Sequence, residues 1–144
     1  MKYLFLFILL LCSCTPYRVK QNRTEKDVLL QHHNEQRLAA DLLSFEIHES
    51  LGKAAQKHAD WMAKNNRLDH TGENGSSILD RVKNKKWRFI GENIARGQIN
   101  AKQAVDDWMS SQGHRDNILN PNFKYIGFGI SGDDRLFWCV VFSD

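Results

Sequence analysis

The stretch Ile126-Gly-Phe-Gly-Ile-Ser-Gly-Asp-Asp-Arg-Leu-Phe-Trp-Cys-Val-Val-Phe142 decides the fold. Ile126, Phe128 and Ile130 alternate with Gly127 and Gly129, the period of two that marks a strand. Ser131-Gly-Asp-Asp134 supplies the turn, and the returning run Leu136 to Phe142 is apolar at every position. A strand that is apolar on both faces has to be covered on both. The hairpin therefore predicts an α/β domain: a three-layer α/β/α sandwich around a small, mostly antiparallel central sheet.

The flanking segments supply the helices. Thr24 with Asp27 three residues later has the form of a capping box, opening a helix through Val28, Leu29 and Leu30 to about Ala40. A second helix is expected from about His48 to Asn65. Its Leu51, Ala54, Ala55, His58, Ala59 and Met62 fall on one stripe, which makes His58 a core histidine. A polar loop, His70-Thr-Gly-Glu-Asn-Gly75, leads to a short helix near residues 77–84. Trp87 to Ala95 reads as a strand interrupted by Gly91-Glu-Asn93. Asn100 and Gln103 then cap a helix with Ala101, Ala104, Val105 and Trp108 on one face, stopped by Gly113. Of the pair His32-His33, one should face solvent.

The front end reads as an address. Met1-Lys2 precedes an unbroken apolar run from Tyr3 to Cys12, shorter than the roughly 20 residues a spanning helix needs and suited to a secretory signal. It closes on Leu11-Cys-Ser-Cys14, which resembles the bacterial lipobox. That resemblance makes residues 1–14 a lipoprotein signal with Cys14 acylated, residues 15–25 a tether and residues 26–144 one domain. Membrane attachment through Cys14 and a cell-envelope location follow, with Thr15 rather than Asp at the next position favouring the outer membrane under enteric sorting rules. Ordinary cleavage and secretion is the alternative.

Length and charge agree with this division. The chain has 144 residues, one domain's worth. Its net charge of only +3 argues against nucleic acid as a partner. Of three cysteines, Cys12 leaves with the signal and Cys14 carries lipid, so the domain keeps one thiol and no disulfide. That thiol, Cys139, lies in the apolar returning strand and is expected to be buried and inert.

No single stretch carries a common enzyme signature: His48-Glu49 lacks the second zincin histidine, and Gly-x-Ser-x-Gly, a P-loop and Cys-x-x-Cys are all missing. Three residues stand out by position instead. His70 lies in a glycine-containing polar loop. Glu92 sits inside an apolar strand, where its charge must be paired or reach water. His114 follows the expected helix end at Gly113. Two His and one carboxylate are the minimum of a His₂-carboxylate metal site, although each also has a plain structural role open to it.

Together with these, Asn34-Glu-Gln-Arg37, Leu68-Asp-His-Thr71, Gly91-Glu-Asn-Ile94, Trp108-Met-Ser-Ser-x-Gly-His-Arg115, Asn117-Ile-Leu119 and Ile126-Gly-x-Gly129 occur in order. The series resembles the CAP superfamily (cysteine-rich secretory proteins, antigen 5, pathogenesis-related proteins; SCP-like) in its disulfide-free bacterial branch, over about residues 26–144. The resemblance implies an α/β/α sandwich and a cleft of two His and two Glu able to hold a divalent ion such as zinc. His70, Glu92 and His114 match three members, and Ser111 stands where animal and plant members carry the second Glu. One carboxylate fewer should weaken cation binding.

Three functions fit these residues. The first is an envelope-tethered binding module whose cleft holds a divalent metal or a small lipid or cell-wall polymer. The second is a metal-assisted hydrolase, with His70 and His114 on Zn²⁺, Glu92 as general base, and Ser111 or Asn93 donating a hydrogen bond. The third is a structural polar network.

Overall fold

The computed structural model describes residues 23–83 and 86–144; the signal, Cys14 and most of the tether lie outside the described residues. The elements run α1 (Glu25–Leu38), β1 (Glu46–Ile47), α2 (Glu49–Lys64), a single 3₁₀ turn (Glu73–Gly75), α3 (Ile78–Val82), β2 (Ile90–Arg96), α4 (Ala101–Ser110), α5 (Gln112–Ile118), β3 (Tyr125–Ser131) and β4 (Phe137–Ser143). Sheet order is β1-β3-β4-β2, antiparallel except for the short parallel pair β1–β3. The expected mostly antiparallel sheet and three layers are both present.

One face of the sheet packs on α2 and α3, the other on α1, α4 and α5. The hairpin's alternation has a different use on each side. Ile126 and Phe128 enter the core shared with α1 and α4. Gly127 and Gly129 face α2 so closely that a Cβ on either would lie 2.2 Å from α2 backbone, at Gly52 N and Ala55 O. Only a side-chain-free strip lets that helix seat on β3. All six residues of the expected α2 stripe are buried.

The two expected caps form, and the structure adds a third at Ser77. Thr24–Asp27 and Ser77–Asp80 are complete capping boxes, and the Asn100 side chain accepts from the Gln103 N–H. Glu25, assigned to the tether, already belongs to the fold, its carboxylate accepting from the Ala101 N–H at 2.7 Å.

Two expectations are corrected. β2 is not interrupted at Gly91-Glu-Asn93: Glu92 pairs in register with Val141 and Asn93 with Val140. The carboxylate finds buried partners, so the strand need not leave the sheet. Gly113 does not stop α4 either. The chain turns extended at Ser111 (φ −102°, ψ 123°), and Gly113 lies in the first turn of α5. A glycine ends a helix by taking a left-handed conformation, and Gly113 is not among the residues with positive φ. His114 therefore sits near the start of α5, not beyond the end of α4.

Candidate functional site

β2 is an edge strand, and consecutive residues on it point into opposite layers. Glu92 faces α2 and α3, and Asn93 faces α5. The site is built around this edge.

Glu92 is almost wholly buried, with 4% of its side chain exposed, and both carboxylate oxygens are engaged. Oε1 accepts from His70 Nδ1–H at 2.8 Å. Oε2 accepts from the Arg81 guanidinium at 2.5 Å and lies 3.6 Å from the Cys139 thiol. His58 Nε2 is 4.0 Å from Oε1. Burial pushes the Glu92 carboxyl up, but the His70 hydrogen bond, the charge and hydrogen bond of Arg81 and the nearby His58 together hold it below its ordinary value. It is therefore a fixed anion.

Arg81 comes from α3, whose capping box orients it. Besides Glu92, its guanidinium donates to the carbonyls of His70 (3.0 Å) and Ser76 (2.8 Å). One side chain thus neutralises the buried carboxylate and ties the 70–76 loop to it. Cys139 completes the lining; burial pushes its thiol well above the usual range, so it is not a nucleophile.

His70 is the outlet of this network. Its side chain is 59% exposed, and with Nδ1–H given to Glu92 its Nε2 is free to present a lone pair outward. The Glu92 hydrogen bond raises its pKa, against the effect of partial burial. His114 approaches from the other layer. Burial lowers its pKa first, and the charge on His70 lowers it further. Among the described residues no group hydrogen-bonds the His114 ring.

Asn93 is fully buried and does not open on the cleft. Its amide donates to the His114 carbonyl at 3.0 Å and accepts from Asn117 at 2.9 Å, while Asn117 also donates to the free edge carbonyl of Glu92 at 3.3 Å. It anchors the turn of α5 that carries His114. Ser111 is the half-buried joint between α4 and α5, and its side chain makes no capping bond. The structure thus joins His70 to Glu92 directly, and ties the His114 backbone to the next residue of β2, Asn93.

Two participants in the network were not read as site residues from the sequence. Arg81 is marked only by its place after a Ser-x-x-Asp box. His58 is fully buried as expected, yet it belongs to the network: its Nε2–H donates to the Asp69 carbonyl at 2.9 Å and its Nδ1 has no partner.

The profile of the Cysteine-rich secretory protein family, CAP, matches residues 30–142. The chain belongs to the CAP family. Among its relatives, the uncharacterized protein YkwD of Bacillus subtilis is 40% identical over 98 residues, 67% of this chain and 38% of that one. The uncharacterized membrane protein YlbC of the same organism is 30% identical over 124 residues, 85% of this chain and 35% of that one. The chain therefore spans little more than a third of either relative. Among solved CAP-like structures, an outer surface protein of Borrelia burgdorferi superimposes with a TM-score of 0.77 at 23% identity, covering 83% of this chain and 92% of that one. An extracellular SCP-domain protein of Bacillus anthracis gives 0.74 at 26%, covering 81% and 39%.

Proposed function

We propose that this CAP domain is an extracytoplasmic binding module, tethered to the cell envelope through lipid on Cys14, whose cleft presents His70 and His114 to a ligand without turning it over. The observation that carries the reading is the state of Glu92. A general base needs a free carboxylate with a pKa drawn towards neutrality; Glu92 has both oxygens occupied and its pKa held down. Its chemistry is to orient His70, as carboxylates behind ligating histidines do.

The donor set fits a divalent cation such as zinc, loosely held. His70 offers Nε2, and burial favours the neutral, ligating form of His114. Among the described residues no group of three or more His, Cys, Asp or Glu forms a metal-binding cluster, so two imidazoles would carry the ion, with water or an external ligand completing its coordination. A bound ion would supply Lewis acidity. Protonation of His70 would release it, so uptake should fall on acidification. A small lipid or cell-wall group is the other class of ligand the cleft would admit.

Isothermal titration of the full chain with zinc chloride tests this reading. Saturable uptake lost in both His70→Ala and His114→Ala is expected, and uptake unchanged in both variants would overturn the site. Hydrolysis of peptide, ester or peptidoglycan substrates that disappears in Glu92→Gln would overturn the binding-module reading in favour of an enzyme. For the anchor, Cys14→Ser should release the protein from membrane fractions; no redistribution would refute it.

A further inference from the structure

On the α2 side of the Glu92 network runs a groove of about 630 Å³ between α2, the 3₁₀ turn and α3. Nothing in the binding-module reading uses it. Its wall is an aromatic stack: the Trp61 indole lies parallel to the His58 ring, 5.7 Å between centroids and 7° between planes. His58 is fully buried whereas Trp61 is only partly so. A half-exposed indole held parallel to a second ring offers a rigid, flat apolar face at low entropic cost.

The charge around this face is mostly positive. Lys53, Lys57 and Lys83 line the groove with Glu73 and Asp80, and Arg81 lines it too with its charge answered by Glu92. The hydrogen bonds from Ser77 leave Asp80 charged, but the three lysines outnumber the two acids. Asp80 is taken up by the Ser77 N–H and hydroxyl at 2.8 and 2.7 Å, and Glu73 lies 3.4 Å from the Lys57 ammonium. Lys53 pairs with Glu49 on the exposed side of α2, with both side chains more than 70% exposed, so that pair yields readily to a competing anion. Lys83, in a left-handed conformation at the end of α3, has no ion pair among the described residues.

Two buried polar atoms here also lack partners. His58 Nδ1 and Arg81 Nε make no hydrogen bond, although their side chains are 0% and 6% exposed. Such atoms are uncommon in folded proteins and cost free energy when left unmet. Both belong to residues lining the groove.

We infer that this groove is a saccharide site for an anionic sugar chain, with a sugar ring stacked on Trp61 and its carboxylate or phosphate held by Lys53, Lys57 and Lys83. A neutral sugar would use the indole but leave the ammonium groups unanswered. A simple inorganic anion would use the ammonium groups but leave the indole bare. Only a ring that bears a charge satisfies both features. The site does not depend on His70 or His114.

The test titrates the full chain, by calorimetry and by tryptophan fluorescence, with an oligogalacturonate, a phosphorylated mannan fragment and a neutral chito-oligosaccharide of matched length. The carboxylate and phosphate arms identify which anion is preferred. Saturable binding of at least one acidic sugar, weakened by added salt, is expected, with the neutral sugar much weaker. Trp61→Leu should reduce affinity about tenfold, and Lys57→Glu with Lys83→Glu should reduce it by at least about tenfold. His70→Ala should leave it unchanged, which separates this site from the zinc titration. Equal binding of the neutral sugar would overturn the inference. So would full affinity in either groove variant, or loss of binding in His70→Ala.

Discussion

Each face of the sheet buries one histidine and one arginine, and the two pairs are put to opposite use. On the α1 side, Arg37 is 2% exposed and has no carboxylate partner among the described residues. Its guanidinium donates to the carbonyls of Leu43, Ile118, Asn120 and Phe123 at 2.6 to 3.0 Å and lies 4.0 Å over the Phe45 ring. His33 beside it sits among Phe45, Trp108, Phe128 and Phe142, bonded only to the Leu29 carbonyl. On the α2 side, Arg81 and His58 meet a third ionisable group, Glu92, which continues through His70 to the surface. Backbone carbonyls do not titrate and make Arg37 a fastener for loops. A carboxylate transmits charge, and that makes the second cluster a site.

This difference can be broken by substitution, in descending order of expected effect. Arg37→Ala strips donors from four carbonyls and should cost about 5 kcal/mol of unfolding free energy by denaturant titration; a loss under about 2 kcal/mol would show that the loops do not depend on it. Arg81→Met leaves Glu92 buried without its arginine, the carboxylate still bonded by His70, and should cost about 3 kcal/mol near neutral pH. The Glu92 carboxyl should then rise, so the deficit should shrink as pH falls. No such relief is available to Arg37→Ala, and a deficit in Arg81→Met that ignored pH would contradict the pairing.

Acid should separate the clusters further. Burial lowers the His33 pKa to about 4 from 6.5. Over that interval the unfolded chain binds the proton and the folded chain does not, so stability falls as pH falls from about 6.5 to about 4, by about 3 kcal/mol from this residue. His58 and His114, also lowered by burial, act in the same direction. His70, raised by Glu92, acts in the opposite one: its contribution is complete below its unfolded value and is lost as pH rises through the folded one. His33→Asn, whose amide can still reach the Leu29 carbonyl, should flatten the acid limb; an unchanged limb would rule out His33 as its source. The smallest effect belongs to His70→Ala, under about 1 kcal/mol because the histidine is more than half exposed and Arg81 still pairs with Glu92.

The layered fold was legible because its signals are local and repeated: the alternating hairpin, the six-residue stripe on α2 and the caps at Thr24 and Asn100 each specify an element. β1 was not legible, since two residues carry no period, and Gly113 misled because a glycine acts as a stop only in a conformation that sequence does not reveal. In the site, His70, Glu92 and His114 were visible as polar residues placed against their surroundings. Arg81 was not, because an arginine following a capping box on a short helix looks like any solvated one. Its role comes from α3 packing beside β2, a tertiary fact. For the same reason His58 was legible as buried but not as a neighbour of Glu92.

The account turns on Glu92 being a fixed, paired anion that orients His70. Carbon-13 NMR titration of the Glu92 carboxyl in the full chain measures this directly. We expect a pKa below the ordinary glutamate value that rises when Arg81 is replaced by Met. A pKa raised towards neutrality in the native chain, as a general base requires, would contradict the account and restore the hydrolase.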